Sequence, residues 1–521
     1  MCKIFTILNN TISPNSKYLE EQIRTVFIKL KHVDIHADMA FNDSYEENEQ
    51  PIEDDNIILL CNGEIYNSIE LYRWMNIQPK TNYSCEVILH LYKNYGIEQT
   101  LQMIDGVFSF VLFDKRLVSG NSKIYVASDS YGLRPLYVLC PKKGGSASSP
   151  TPIFCLSTEK KVLNNICHLL NEPEENEKSV NEKSVNETLH DCLSFYKRNI
   201  KYKKENLLNY EVTKITPGSY YYFKLPEKVC SVWNIEKESV YYNTLSGYSK
   251  NIFSDIDLLL TNFQSNIIQA VEKRCDYVKN RAACIITGDY ESSLIAILVS
   301  ENYKKNGYGQ LKTFSIGFGE KEEQATIRML AYYLDIDHTE IIITEKEIGL
   351  AIPELIEILG SKDVDLICEN ISYYLISKHI KEHNNNIRYI FTCIGADEVF
   401  GKKINAIDEI EFDMKCRQNL KDIHHNTVLH SFNMFFENGL ILENSFLDRN
   451  FIQYYFSLSP EYRFPNDRYD DMIYDRLLKE AIDNGTYKGL DRTQLLPSSI
   501  TTQISNENDE LINKYVKKYF C

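Results

Sequence analysis

The stretch AACIITGDYESSLIAILV (282–299) decides the fold of the C-terminal half of the chain. The apolar run AACIIT predicts a buried strand, and ESSLIAILV predicts the start of a helix after a short turn. Apolar runs and longer helical patterns then follow one another, and strand–turn–helix units of this length predict an α/β domain with a doubly wound parallel sheet. The other elements predicted for this half are a helix over 253–274, strands at LKTFSIGF (311–318), TEIIIT (339–344) and RYIFTCIG (388–395), helices at ATIRMLAYYL (325–334) and in a long stretch to 381, a turn at GADEVFG (395–401), and a largely helical tail over roughly the last 110 residues.

The first 160 or so residues have a different pattern, in which short β-rich runs alternate with turns. This pattern predicts a mostly antiparallel α+β layered domain with helical stretches near 17–30 and 85–95. Residues 171–188 are polar and contain NEKSV twice, which predicts a solvated insertion loop. Two more strands are expected around 211–224, with a turn at Pro217-Gly218. The strand-like runs are KIFTIL, NIILLCNG, GVFSFVLFD, KIYVASD, LYVLC and IFCLS.

Composition and charge narrow the class of protein. With 57 basic and 73 acidic residues, the formal net charge of −16 disfavours a nucleic-acid-binding surface and membrane association. No long apolar run predicts a transmembrane span, and the N-terminus has too short an apolar stretch for a signal peptide. The 14 cysteines include no CxxC pair, which favours buried, reduced thiols over a disulfide framework or a zinc site. We therefore expect a cytoplasmic protein.

Cys2 follows the initiator Met1 directly, and methionine is usually removed when the next residue is small. Removal would leave a thiol and a free α-amine on one residue. An α-amine titrates near about 8, so it can act as the base for a nucleophile on the same residue. Because a cysteine at this position is also typical of an ordinary frayed terminus, the rest of the sequence decides.

Five motifs of the N-terminal half occur in an informative order and spacing. Together they resemble the class II (N-terminal nucleophile) glutamine amidotransferases, which implies a four-layer Ntn-hydrolase-like α+β fold. The motifs are Cys2, NGEIYN (62–67), CEVI (85–88), DGVFSF (105–110) and ASDSYGLRPLY (127–137).

The C-terminal half resembles the synthetase domain of the glutamine-hydrolysing asparagine synthetases. This resemblance implies an ATP-pyrophosphatase-like α/β domain with a helical tail. The motifs that carry it are ITGDYESSLIA (286–296), TFSIGF (313–318), GADEVFG (395–401) and SFLDRNFIQYYFSLSPEYR (445–463).

The resemblance implies a glutaminase reaction in the first domain. Cys2 would attack the side-chain amide of glutamine and release ammonia, while Asn62 and the backbone N–H of Gly63 would form the oxyanion hole. Ammonia would then pass internally to the second domain. The residues expected to bind glutamine are Glu64, Met39, Asn42, Asp43 and Ser84.

In the second domain the resemblance implies that ATP activates aspartate as an acyl-adenylate, which ammonia then aminates. The loop after the first strand would hold pyrophosphate on backbone N–H groups and a helix N-terminus. Glu291 and Asp397 would contact Mg²⁺. The residues expected at the ATP site are Ile286, Thr287, Gly288, Glu291, Ser292, Ser293, Ile316, Thr392, Cys393 and Asp397.

Several positions depart from the family pattern. Asp289 replaces a glycine of the pyrophosphate loop, and a like charge at 4 Å from phosphate costs about 4 kcal/mol at an effective dielectric constant of about 20. Ile394 replaces the glutamate associated with adenylate formation, and Glu443 replaces an arginine. In the glutaminase half, Met39 replaces the arginine that holds the substrate carboxylate, and Ser84 replaces the aspartate that holds its amine.

These observations give a main hypothesis and its alternatives. We expect a glutamine amidotransferase domain over 2–225 and an asparagine synthetase domain over 245–521, which together transfer glutamine nitrogen to aspartate with ATP. A catalytically degenerate homologue that acts as a binding or regulatory partner is the second hypothesis, and a thiol amidohydrolase at Cys2 is the third. The related β-lactam-forming synthetases fit less well, since they generally lack the N-terminal cysteine. A homodimer is kept open as the assembly.

Overall fold

The computed structural model describes residues 5–9, 50–118, 121–141, 153–158, 160, 163–164, 167, 210–225, 234–242, 256–317, 322–402, 404–423 and 427–464. The chain divides into two compact units, residues 1–243 and 244–521. The domain limits expected from the sequence, 2–225 and 245–521, each fall inside one unit.

The N-terminal unit is an antiparallel α+β structure in the described ranges. Its helices are α1 (Ser68–Met75) and α2 (Val87–Met103), with a short 3₁₀ turn at Ser84–Glu86 between them. Its strands are β1 (Phe5–Asn9), β2 (Ile52–Asp54), β3 (Ile57–Ile65), β4 (Gly106–Val118), β5 (Asn121–Ser128), β6 (Tyr137–Pro141), β7 (Ile153–Ser157), β8 (Tyr210–Lys214), β9 (Ser219–Leu225) and β10 (Asn234–Val240).

Two antiparallel sheets pack face to face in this unit. One has the strand order β10-β9-β5-β4-β3-β2 and the other β1-β7-β6-β8. Alternate residues of the first sheet, such as Leu60, Val111 and Val126, pack against Leu136 and Leu156 of the second. The opposite face of the first sheet packs on α1 and α2. The described layers are thus helices, sheet and sheet.

The sequence predicted most of these elements. All six strand-like runs and the pair around 211–224 are strands, and the helix expected near 85–95 is α2, which extends to Met103. The prediction of only two helical stretches was wrong, because α1 forms a further helix, and β10 was not predicted. The helix expected near 17–30 and the insertion loop at 171–188 lie outside the described residues.

The C-terminal unit is an α/β structure. Its strands are β11 (Ala282–Ile285), β12 (Lys312–Gly317), β13 (Asp337–Ile342), β14 (Tyr389–Phe391) and β15 (Ile441–Glu443). Its helices are α3 (Ile256–Val278), α4 (Tyr290–Asn306), α5 (Glu322–Leu334), α6 (Glu345–Leu359), α7 (Val364–His383), α8 (Ala396–Phe400), α9 (Glu409–Lys421), α10 (Thr427–Glu437), α11 (Arg449–Ser457) and α12 (Pro460–Arg463).

The sheet of this unit is parallel throughout and has the order β13-β12-β11-β14-β15. The chain moves outward from β11 in one direction through β12 and β13, and then returns to place β14 on the other side. The strand order therefore reverses between β11 and β14. In open α/β sheets, ligands bind beyond the carboxyl ends of the strands at such a reversal.

The structure corrects three details of the sequence prediction for this unit. The long helical stretch to 381 is two helices, because Gly360 ends α6 in a left-handed conformation at φ 63°. The turn predicted at GADEVFG contains the short helix α8. The tail also contains a strand, β15, which the pattern did not predict. No described helix is both long enough and apolar enough to cross a membrane.

Candidate functional site

Asn62 and Gly63 lie near the end of β3, in the centre of the first sheet. Asn62 lies directly opposite Ser109, which lies opposite Ser128, so three polar side chains cross three strands on one face. Because Leu60 faces the second sheet, Asn62 two residues later faces it too. The side-chain oxygens of Asn62 and Ser109 are buried without a hydrogen-bond partner among the described residues. A polar row of this kind, at the end of an otherwise apolar core, is suited to binding a polar group.

The N-terminal end of β1 lies at the same end of the two sheets. Phe5 pairs with Ser157, and Ser157 pairs with Tyr137 at the start of β6. Ser128 ends β5, and the residues that follow lead directly to β6. The starting end of β1 therefore lies at the end of the sandwich where the polar row lies.

Gly63 is held in close contact with the neighbouring strand. Its φ is +152°, and a Cβ atom built on it would lie 2.1 Å from Val107 O and 2.5 Å from the Cα of Phe108. Only glycine fits at such a distance from another backbone. Steric fit is thus sufficient to explain this glycine, whatever its backbone N–H binds.

Glu64 forms a buried ion pair instead of facing an open site. Its Oε2 accepts a hydrogen bond from Nη2 of Arg134 at 2.8 Å, and both side chains are buried. Arg134 is positioned by Asp129, whose carboxylate accepts the backbone N–H groups of Tyr131, Leu133 and Arg134 itself. The Glu64 side chain could therefore bind glutamine, as predicted, only at the expense of its ion pair with Arg134.

Ser84 is also used locally. Its hydroxyl accepts the backbone N–H of Ile65 at 3.0 Å, and the thiol of Cys85 lies 3.1 Å from the carbonyl oxygen of Gly63. Glu86 closes this turn by accepting the backbone N–H groups of Lys80 and Thr81. Burial opposes ionisation of Glu86, but these hydrogen bonds lower its pKa. The turn at 84–86 is therefore fixed against the strand that carries Asn62.

Four predicted site residues of this unit lie outside the described residues: Cys2, Met39, Asn42 and Asp43. The described structure brings Asn62, Gly63, Glu64 and Ser84 to one end of β3, because Ser84 bonds to the residue after Glu64.

In the C-terminal unit, the predicted loop lies at the reversal of strand order. Ile286 continues the pairing of β11, since its N–H donates to Phe314 O at 2.9 Å. Ile316 lies on β12, two residues beyond Phe314, and pairs with Ile341. Thr392 follows β14, and its N–H donates to Glu443 O. The ends of three neighbouring strands thus bring the predicted ATP-site residues to one edge of the sheet.

Asp289 does not extend into open space; it caps α4. Its Oδ1 accepts the N–H of Ser292 at 2.8 Å, and its Oδ2 accepts the hydroxyl of Thr287 at 2.8 Å. The hydroxyl of Ser293 donates to the carbonyl oxygen of Asp289 at 2.7 Å. Gly288 makes the turn possible with a φ of +90°. The hydroxyl groups of three predicted ATP-site residues, Thr287, Ser292 and Ser293, are therefore hydrogen-bonded within this segment.

Cys393 brings the loop after β14 against this cap. Its sulfur lies 4.0 Å from both carboxylate oxygens of Asp289. Burial, together with the nearby carboxylates, raises the pKa of the Cys393 thiol well above its usual range. The neutral thiol therefore faces the Asp289 carboxylate. Ile394 follows Cys393, and its N–H donates to the Thr392 hydroxyl at 3.3 Å.

Lys402 lies between the two predicted magnesium ligands. Its ammonium contacts the buried carboxylate of Glu291 and lies 4.0 Å from Oδ1 of Asp397. Burial opposes its charge, but the carboxylates of Glu291, Asp289 and Asp397 raise the pKa of Lys402. An ammonium in this position takes the place in which a divalent cation would bridge the carboxylates, so the arrangement does not fit Mg²⁺. Asp397 does not cap α8 through its side chain; Gly395 is the N-cap residue, at φ 94°.

The charge reversal at Glu443 is balanced within the core. Glu443 is fully buried at the end of β15, and its Oε2 lies 3.6 Å from Nε of Arg274. Arg274 also donates to Asp448 at 2.8 Å, and Lys273 contacts the same carboxylate. The acidic residue at 443 thus belongs to a buried network of charges.

Two functional positions were missed by the sequence analysis. Arg134 lies within a motif that was quoted, but its pairing with Glu64 joins residues 70 apart. Lys402 follows GADEVFG directly, and its contact with Glu291 joins residues 111 apart. The cap at Asp289 did have a local signal, since an aspartate three residues before Ser292 is a typical N-cap pattern.

Comparison with known proteins agrees with this two-part arrangement. Residues 22–229 match the family model of the glutamine amidotransferase domain, and residues 262–404 match that of asparagine synthase. The glutamine-hydrolysing asparagine synthetase of Rattus norvegicus is 28% identical over 457 residues, which is 85% of this chain and 70% of the rat protein. The human enzyme is 26% identical over 477 residues, covering 88% of this chain and 75% of its own length.

Among solved structures, NMN synthetase from Francisella tularensis aligns with 40% of this chain and 97% of its own, at 11% identity. The TM-score of 0.22 is too low to establish a shared fold. The two family models show a glutamine amidotransferase domain followed by an asparagine synthase domain, and over most of its length the chain is similar to the glutamine-hydrolysing asparagine synthetases.

Proposed function

We propose that the protein is a glutamine-dependent asparagine synthetase. Cys2 of the N-terminal domain attacks the glutamine amide, and hydrolysis yields glutamate and ammonia. In the C-terminal domain, aspartate displaces pyrophosphate from ATP to form an aspartyl-adenylate. Ammonia then attacks the acyl carbon, which gives asparagine and AMP.

This proposal rests mainly on one observation: the loops after β11 and β14 meet where the strand order of the sheet reverses. Thr287 in the loop after β11 is followed by Glu291 in the first turn of α4, and Cys393 in the loop after β14 is followed by Asp397 in α8. Cys393 lies 4.0 Å from Asp289 of the first loop. A site at this edge of a parallel sheet is where an α/β domain binds a nucleotide. The residues expected to contact ATP come from these two loops and from the end of β12.

The end of the N-terminal sandwich supports the glutaminase half. Asn62 and Gly63 lie at the end of the two sheets at which β1 begins, and this supports an oxyanion hole formed by these two residues near the N-terminus of the chain. We further propose that the domains span 2–225 and 245–521, and that a fourth layer completes an Ntn-hydrolase-like fold.

Product formation with two nitrogen sources tests the proposal. The full-length chain is incubated with ATP, aspartate and magnesium chloride, and with either glutamine or ammonium, while pyrophosphate and asparagine are measured. We expect both products with either source, and we expect Cys2→Ala to lose only the glutamine-dependent reaction. Cys368→Ala removes a thiol that forms no disulfide from α7, in the other unit, and serves as the matched control. The absence of pyrophosphate and asparagine with both nitrogen sources would refute the synthetase assignment.

One observation favours a second candidate function, in which the synthetase half serves as a binding or regulatory module. The Asp289 carboxylate occupies the N-terminus of α4, which a synthetase needs for pyrophosphate. A homologue whose synthetase half has become a binding or regulatory module would retain this arrangement. Release of glutamate from glutamine, with no pyrophosphate from ATP, would favour a thiol amidohydrolase over both.

A further inference from the structure

We propose that Asp289 and Lys402 form a built-in occupant of the nucleotide loop, which opposes the binding of a phosphate group and of a divalent cation there. The Asp289 carboxylate takes the place of a phosphate on the N-terminus of α4, and the Lys402 ammonium takes the place of a divalent cation between Glu291 and Asp397. This inference rests on the proposed function, since it concerns the same site.

The contacts of Asp289 are those that a bound phosphate would make. A helix N-terminus offers unpaired N–H groups and the positive end of the helix dipole, and both favour an anion. Here the carboxylate accepts the N–H of Ser292 and the hydroxyl of Thr287, each at 2.8 Å. Because Asp289 belongs to the loop itself, no translational entropy is lost when it occupies this position.

The contacts of Lys402 are those that a cation would make. Its ammonium contacts Glu291, whose side chain is 2% exposed, and lies 4.0 Å from Asp397. Lys402 itself is largely buried, with a side-chain exposure of 19%. A lysine ammonium is a compact charge with donors only, and it can neutralise carboxylates without a metal.

The two residues act together on the charge of the site. Burial, together with the Asp289 carboxylate, raises the pKa of Glu291 to about 8, and the Lys402 ammonium opposes this shift. The Asp289 carboxylate is a like charge at the N-terminus of α4 and therefore opposes an incoming triphosphate. Removal of the Asp289 carboxylate would open the helix N-terminus to a phosphate group, and removal of the Lys402 ammonium would leave the carboxyl groups of Glu291 and Asp397 without this cation. The nucleotide and its metal are therefore expected to bind weakly to the wild-type chain and more tightly when either residue is removed.

Titration of the full-length chain with inorganic pyrophosphate tests the Asp289 half. In EDTA, we expect Asp289→Gly to bind pyrophosphate at least ten-fold more tightly than the wild type by calorimetry. Asp289→Asn keeps a capping oxygen without the charge, so it should lie between the two. Asp363→Gly removes a comparable N-cap carboxylate from α7 and should bind as the wild type does. Equal or weaker pyrophosphate binding by Asp289→Gly would overturn the inference.

Thermal unfolding with magnesium chloride tests the Lys402 half. At matched ionic strength, we expect Mg²⁺ to raise the melting temperature of Lys402→Met by several degrees and to leave that of the wild type unchanged. A shift of equal size in both proteins would contradict the role of Lys402. If removal of the ammonium prevents folding, the pyrophosphate titration of Asp289→Gly alone decides the inference.

These measurements require no turnover, which separates the inference from the proposed function. If Asp289→Gly binds pyrophosphate tightly but forms no asparagine, the inference stands and the synthetase assignment fails. If the wild type forms asparagine and Asp289→Gly has an unchanged affinity for pyrophosphate and ATP, the inference fails and the assignment stands.

Discussion

Replacement of Gly63 by alanine tests a close approach of two backbones in the N-terminal unit. The new Cβ would lie 2.1 Å from Val107 O and 2.5 Å from the Cα of Phe108, at a φ of +152°. Both atoms belong to β4, which pairs with β3 along nine successive positions, so neither strand can move without breaking the ladder. Overpacking costs about 1–3 kcal/mol, and a backbone conformation unsuited to a Cβ adds about 1–2 kcal/mol. We expect Gly63→Ala to lower the free energy of unfolding by about 2–5 kcal/mol.

Gly96 provides the matched control for this prediction. It also has a positive φ, +76°, but a Cβ there would meet no atom within 4 Å. Gly96→Ala should therefore cost only the conformational strain, about 1–2 kcal/mol, offset in part by the reduced entropy of the unfolded chain. The difference between the two variants isolates the steric contact.

Tryptophan fluorescence during urea unfolding measures this difference directly. The chain has two tryptophans, Trp74 and Trp233, and both belong to the N-terminal unit. Their signal therefore reports the unfolding of the unit that contains both glycines. If the urea midpoints of Gly63→Ala and Gly96→Ala coincide, the prediction that a Cβ atom at position 63 clashes with β4 is wrong.

Three further substitutions test the buried charges and a helix cap. Arg134→Met leaves the Glu64 carboxylate buried without its partner, so we expect a loss of about 3–5 kcal/mol in urea unfolding and recovery of much of it when Glu64→Gln is added. Asp448 has a pKa lowered to about 2, since Lys273 and Arg274 outweigh the effect of burial. The contribution of the Asp448 carboxylate to the free energy of unfolding is therefore fully present above about pH 4 and is lost as the pH falls toward about 2. The wild type should be more stable than Asp448→Asn by about 2 kcal/mol at about pH 5, and this difference should shrink by about pH 3. Thr344→Ala removes the capping box of α6 and should cost about 1 kcal/mol, whereas an unchanged melting temperature would contradict the cap.

The elements that the sequence predicted are those with a strong local pattern. The run at β3 alternates between two apolar faces, and the run at β11 is apolar and ends at Thr287-Gly288, so both were readable without a structure. α1 was missed because it is short and has exposed apolar side chains at Ile69 and Trp74, which weaken the helical pattern. β15 has only three residues and exists because β14 pairs with it, which no local pattern records.

For the candidate sites as well, local motifs predicted the positions of residues but not the contacts of their side chains. Local motifs located Asn62 and Gly63 and the loop at 286–293, because strand–turn–helix geometry is encoded in neighbouring residues. The use of each side chain was not predictable, because Glu64 pairs with Arg134 and Lys402 contacts Glu291 across long stretches of chain. From the sequence alone, the charge of Asp289 is expected to repel phosphate. The structure shows that the same carboxylate is stabilised as the cap of α4.

The buried pairing of Glu443 with Arg274 has an evolutionary consequence. An arginine at 443, the residue the family pattern places there, would bring two guanidinium groups together where the present chain has opposite charges 3.6 Å apart. The effect of a change at 443 therefore depends on the residue at 274, which is epistasis between positions on β15 and α3. Introducing arginine at 443 alone would leave two buried guanidinium groups facing each other, so a change at 274 is needed to compensate for it.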